Sequence, residues 1–245
     1  MKNYLHSALL LGLMATLATG CSIYHPQSVD IPLINHSGDT RIDATAAMSF
    51  FVIPSTFTLN ATATHGFNDW FAGQLHANYG GSNFYVQAAP GAYKTLGEKS
   101  VLEGYAGIGF GGAWNKRVQQ ESSSSNNYAY DGTFILPFVQ GNFGWHDLSA
   151  AHIDIAFGLK CGAYLPDFNY RNLDADGNPI NGSYIYTTSN FLLEPQVMLR
   201  LGSNNVKLNI RLGFAWLSDL FSENSSAHNI YSDPLSASVG INFSF

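Results

Sequence analysis

Apolar and polar positions exchange places at every second residue through one segment of this chain after another, which is the period of a strand whose two faces meet different surroundings. Ten such segments stand out: 40–51, 56–64, 70–79, 84–96, 101–114, 134–145, 152–165, 191–201, 206–217 and 235–245. In the first, Ile42, Ala44, Ala46 and Met48 share one face and Arg41, Asp43, Thr45 and Ser49 the other. In the seventh, Ile155, Phe157, Leu159 and Cys161 oppose Asp154, Lys160 and Tyr164. The eighth and ninth set Leu193, Val197, Leu208 and Leu212 against Glu194, Gln196, Arg200, Lys207 and Arg211. The last reads Leu235, Ala237, Val239, Ile241, Phe243 and Phe245 on one side and only small or polar residues on the other. Pro137 requires a bulge or a break in pairing within the sixth segment. Between Gly104 and Gly112 the fifth is rich in glycine, and no helical period follows it. That excludes a nucleotide-binding loop and leaves room for lumen side chains as the role of those glycines.

The connections sort by length. Those after the second, fourth, sixth and eighth segments are short, whereas 115–133, 166–190 and 218–234 are long; the connections after the first and third segments break the pattern by being short as well. Short turns at one end and long loops at the other define an antiparallel up-and-down barrel, here of ten strands with eight or twelve as alternatives. Charged residues make up only 11% of the 245 residues and apolar ones 46%, so the surroundings of this barrel are not wholly aqueous. No apolar run reaches the length of a membrane-spanning helix, and a closed barrel is the remaining way to cross a bilayer. Phe71, Trp145 and Phe245 fall at the short-turn ends and Trp114 and Trp216 at the long-loop ends, as two interfacial girdles would. The expectation is an all-β transmembrane barrel over 40–245, located in an outer membrane, with both termini periplasmic and the long loops at the cell surface.

Polar Ser238, Gly240, Phe243 and terminal Phe245 resemble the assembly signal of bacterial outer-membrane barrels, which implies recognition by the barrel-assembly machinery. Residues 1–20 read as a signal peptide, with Lys2 ahead of an apolar stretch from Ala8 to Leu17. Leu17-Ala18-Thr19-Gly20-Cys21 resembles a lipobox, although its leucine stands four rather than three residues before the cysteine. The resemblance implies that Cys21 carries lipid; ordinary cleavage beside an incidental cysteine is the alternative. Pro-bearing residues 21–39 then form a linker from the lipid to the first strand. Together with Tyr93-Lys94-Thr95-Leu96-Gly97-Glu98 and the glycine run, these features resemble the small lipoprotein barrels common in Bacteroidota. No catalytic residues carry over from that family, and no cofactor is expected.

Charge narrows the partners. Without Lys2 the chain carries 10 basic and 17 acidic residues, a net charge of −7, which argues against nucleic acid. The long loops hold 3 basic and 8 acidic residues, which disfavours phosphate-rich lipid at their tips. Membrane lipid and a further envelope protein are the expected partners. Asp219, Glu223, His228, Asp233, Asp167, Asp174 and Asp176 lie on the loops, as a surface hydrolase of the omptin type would require, but no motif assembles them. Asp174 to Asn178 departs from a calcium loop, with Gly177 fourth and Pro179 sixth, and reads as a tight turn with no metal site. Inside, Asp154, Lys160, Glu194, Arg200, Lys207 and Arg211 form a charge cluster. Facing Arg200 with Lys207 and Gln196 with Arg211 sets Glu194 diagonally beside Arg211. The functional expectation is a structural or interaction protein with a filled lumen; a narrow solute pore is the alternative.

Overall fold

The computed structural model describes residues 29–49, 57–117, 127–174, 176–180, 184–219 and 235–245. Residues 1–20, expected to be a signal peptide, and Cys21, Glu223, His228 and Asp233 lie outside them. Alternation produces what it predicts: strands β1 (Thr40–Ser49), β2 (Phe57–Gly66), β3 (Phe71–Tyr79), β4 (Asn83–Leu96), β5 (Ser100–Arg117), β6 (Tyr128–Trp145), β7 (Asp154–Asn172), β8 (Tyr184–Tyr186), β9 (Asn190–Gly202), β10 (Val206–Phe214), β11 (Trp216–Asp219) and β12 (Leu235–Ser244). All pairings are antiparallel and follow chain order. Pairing of β12 with β1 and of β7 with β9 closes the sheet, which leaves no edge over that height. Two short segments are continuations rather than extra staves. Phe168 opposite Tyr186 keeps the register in which Asp154 faces Arg200, so β8 extends β9 along β7. Likewise β11 prolongs β10 beyond Ala215 along β9. The result is a closed barrel of ten strands.

Which face points where follows from the chain's period. Leu59, Leu75, Ile108, Val139, Phe157 and Val239 are between 52 and 62% exposed on the outer wall, while Thr62, Gln74, His76, Lys160, Arg200 and Asn242 are buried inside. An apolar exterior around a polar, buried interior inverts the soluble arrangement and fits a barrel immersed in lipid.

Two of the expected loops shorten. Strand β5 runs to Arg117, β6 begins at Tyr128 and β7 continues to Asn172, so much of the expected loops 115–133 and 166–190 is strand. Tyr128 stacks on Tyr170 with ring centroids 5.5 Å apart, and Tyr130 meets Phe168 edge-on at 6.2 Å, which sustains pairing beyond the apolar belt. At Pro137 the β6–β7 ladder skips two residue pairs between Ile135 opposite Leu165 and Phe138 opposite Gly162. The missing proline N–H accounts for that gap.

The course of the expected linker is new to the structure. From Val29 to Ile34 its residues are inside the barrel: Val29, Asp30, Ile31, Leu33 and Ile34 are all buried. The chain descends through the lumen as an irregular strap, bends at Leu33, whose φ is 58°, and reaches β1 at the short-turn end.

Candidate functional site

The strap has no ladder to join, so its backbone groups need side-chain partners. The inward faces of the staves supply them. Gln140 and Asn142 on β6 donate to the Asp30 carbonyl at 2.5 and 3.0 Å, and Gln74 on β3 adds a third bond at 3.3 Å. Arg200 on β9 donates to the carbonyls of Pro32 and Ile31 at 3.1 and 2.9 Å. Below them, the Ile34 N–H donates to Glu103 Oε1 on β5 at 2.8 Å. Apolar strap residues fill the remaining space: Val29, Ile31 and Leu33 pack with Val101, Ala156 and Met198, and Ile34 with Ala72, Tyr93, Tyr105 and Phe138.

Charge fixes the strap in place. Arg211 Nη2 lies 3.0 Å from Asp30 Oδ1 and 3.1 Å from Asp43 Oδ2, and Asp43 Oδ2 is also 2.9 Å from Arg200. The other Asp43 oxygen accepts from Asn209 at 2.5 Å. Two guanidiniums and two carboxylates thus alternate within a buried site. Such an arrangement is favourable only when nearly every lone pair and N–H finds a partner, as most do here.

All six residues of the expected charge cluster are buried in the lumen, but their pairing differs. Gly202 faces Lys207 and Asn209 faces Arg200, a register two residues away from the expected one. Ser203 N donates to Val206 O at 2.8 Å, which centres the turn on Asn204-Asn205. A slip of two leaves every face unchanged, so alternation could not distinguish the two registers. Arg211 therefore stands opposite Met198 and binds Asp30 and Asp43 rather than Glu194. Glu194 stands opposite Lys160, whose ammonium also donates to Gln87 at 2.6 Å and lies 4.2 Å from the Phe138 ring centre. Lys207 joins Asp154 at 2.6 Å and Asp147 at 3.0 Å. Asp30, Asp43 and Glu103 were absent from the expected cluster. Asp43 was legible as an inward-facing acid on the first strand; Asp30 lay in a segment without any period.

Above the strap, towards the long loops, the lumen turns aromatic. Tyr85, Tyr130, Phe134, Leu136, Tyr164, Phe168, Tyr186 and Leu192 form one buried cluster. Inward-facing Gly109 and Gly111 on β5 make space for it, because a Cβ at either position would collide with the ring of Tyr85 or Phe134. The glycine run is thus a bared wall against which rings from the neighbouring strands lie. Strap, ion pairs and aromatic cluster follow one another along the barrel interior.

The loop acids are held differently. Asp174 accepts the Asn178 N–H at 2.8 Å and closes a turn with Gly177 at φ 81°. Hydrogen bonds from that backbone hold its carboxyl below the usual range. Asp167 stands opposite Thr133 in the β6–β7 ladder. Among the described residues no group of three His, Cys, Asp or Glu side chains could hold a metal ion. At the opposite end, the β6–β7 turn places Asp147 beside Lys207, His146 and His152. Partial burial pushes the Asp147 carboxyl up, but hydrogen bonds from Lys207 and the two histidines outweigh it and bring it down to about 2.

The terminal strand sits at the barrel seam. Thr40 and Phe245 exchange backbone hydrogen bonds of 3.1 and 3.0 Å, and Phe245 is 71% exposed. Gly240 faces Thr45, where a Cβ would strike the Ala44 carbonyl. Ser238 points inward, and Phe243 lies opposite Ile42 and Val206 along the two neighbouring strands.

No protein-family model and no curated protein matches this chain. Among solved structures, the outer-membrane protease OmpT from Escherichia coli is similar over 89% of this chain and 99% of its own, with a TM-score of 0.52 at 9% identity. A protein described as KdgM porin aligns over 84% of this chain and 99% of its own, with a TM-score of 0.37 at 10% identity. What this chain shares with OmpT is the fold, a closed ten-stranded antiparallel barrel of the outer-membrane kind.

Proposed function

We propose that this protein is an outer-membrane barrel, anchored by lipid on Cys21, whose role is structural or interactive and whose lumen its own chain keeps shut. The observation that carries this reading is the strap at Asp30, bound through its carbonyl and its carboxylate by side chains of β2 and β3, of β6 and of β10. An interior of about ten strands is narrow enough for side chains to fill, and here a peptide segment fills it as well. Both ends of the barrel proper, Thr40 and Phe245, lie beside the short turns, which agrees with periplasmic termini and surface-facing loops. A membrane lipid, the assembly machinery during insertion and a further envelope protein are its partners in this reading. Purified protein should give no steady conductance in planar bilayers; stable ohmic channels would favour the narrow-pore alternative. Intact mass tests the anchor: the mature chain should begin at Cys21 and exceed its polypeptide mass by two or three acyl chains, since one chain anchors only marginally.

A further inference from the structure

The Asp30 carboxylate occupies a site that the barrel wall builds and the strap only visits. Arg211 donates to one of its oxygens at 3.0 Å, while Thr64 and Gln74 each donate to the other at 3.3 Å. These three donors come from three different strands, β10, β2 and β3, and none belongs to the strap. A charge-assisted guanidinium bond backed by neutral donors is the chemistry that recognises a carboxylate. The wall also has capacity to spare. Arg200 and Arg211 share the single wall carboxylate of Asp43, and the buried Arg211 Nε has no partner among the described residues. Without Asp30, Arg211 would keep among the described residues only the Asp43 carboxylate that it shares with Arg200, and a buried guanidinium short of a counter-charge attracts an anion.

We infer that the lumen contains a carboxylate-binding site, centred on Arg211 with Thr64 and Gln74, which Asp30 fills as a tethered ligand and which accepts a free small carboxylate when that side chain is removed. This rests on the closed-lumen reading, because the site is unavailable while the strap holds it.

Formate is the probe, with chloride at equal ionic strength as the control. The full mature chain carrying Asp30→Gly should unfold at a lower temperature than the parent. Formate at ten times its dissociation constant should then raise the midpoint by about 3 to 6 °C over chloride. The parent should show no such preference, and adding Arg211→Gln to Asp30→Gly should abolish it. Should Asp30→Gly refold poorly, its refolding yield, read from the heat-modifiable mobility of the folded barrel, gives the same comparison. Equal effects of formate and chloride on Asp30→Gly, or a preference that survives Arg211→Gln, overturn the proposal. Conductance of the parent in the same preparation separates the two readings, since a leaking parent refutes closure whatever formate does.

Discussion

Asp43→Asn is the sharpest test of the closed-lumen proposal, because it removes one charge with almost no change of volume. Asp43 is 2% exposed and pairs with Arg200 at 2.9 Å and Arg211 at 3.1 Å. Breaking a buried pair on one side leaves an uncompensated charge and costs about 3–5 kcal/mol. Asp30 still faces Arg211 in the variant, so the group that loses its ion pair is chiefly Arg200, which among the described residues keeps hydrogen bonds to the carbonyls of Ile31 and Pro32. The cost should therefore fall near the lower end, about 3 kcal/mol, a large part of the roughly 5–15 kcal/mol typical of a native domain. Guanidinium unfolding in detergent micelles, followed by tryptophan fluorescence, should show the midpoint falling with an unchanged denaturant slope. Arg200→Met tests the pairing itself: in combination with Asp43→Asn it should cost less than the sum of the single changes by about 1–3 kcal/mol. A single-variant cost below about 0.5 kcal/mol, the scale of exposed pairs, would mean that water solvates each charge separately and that the strap does not seal the lumen.

Three further outcomes follow from the geometry. Glu194→Ala should be relieved by Lys160→Met and not by Arg211→Met, as thermal unfolding of the two double variants will show; the reverse order would restore the sequence-derived register. Deleting Phe245, or replacing Gly240 with Val, should reduce folded protein in outer-membrane fractions, because the first removes the backbone bonds to Thr40 and the second collides with Ala44 at the seam. Unchanged abundance would separate the terminal strand from insertion. Lowering the pH should cost stability through Asp147: its folded value of about 2 lies below the usual carboxylate value of about 4, so its contribution is complete above about pH 4 and lost as the pH falls through about 2. Asp147→Asn should flatten that part of the profile of midpoint against pH.

Strand positions, inward and outward faces and the closure of the barrel were legible because lipid outside and polar groups inside impose a period of two on every stave. The same signal is blind to a slip of two, which is how Lys207 came to face Gly202 instead of Arg200. It also fades above the apolar belt, where Tyr128, Tyr130, Phe168 and Tyr170 prolong β6 and β7 without any need for an apolar outer face. Nothing in Val29-Asp30-Ile31-Pro32-Leu33-Ile34 announces burial, since a proline-bearing run in the lumen has neither strand nor helix spacing. Its place is decided by side chains that come much later in the chain. The cluster's membership on β7, β9 and β10 could be read from parity, but its two central acids could not be ranked above other polar residues without that segment.

The strap imposes an order in time. Its bonds to Gln140, Arg200 and Arg211 span 110, 169 and 181 residues of sequence, so the portion of the described chain made first waits for partners made nearly last. Loop closure over such separations is entropically slow, and non-local pairing of this kind retards folding. Nor can the strap's bonds to guanidinium groups form before β9 and β10 exist, because a chain ending short of Arg200 offers Asp30 no cation on those strands. The economical sequence is for the sheet to curl around the strap and for β12 then to meet β1, enclosing the segment rather than threading it. A barrel that shuts early would shut empty, so the seam at Gly240 and Phe245 keeps time for the interior as well as joining the wall.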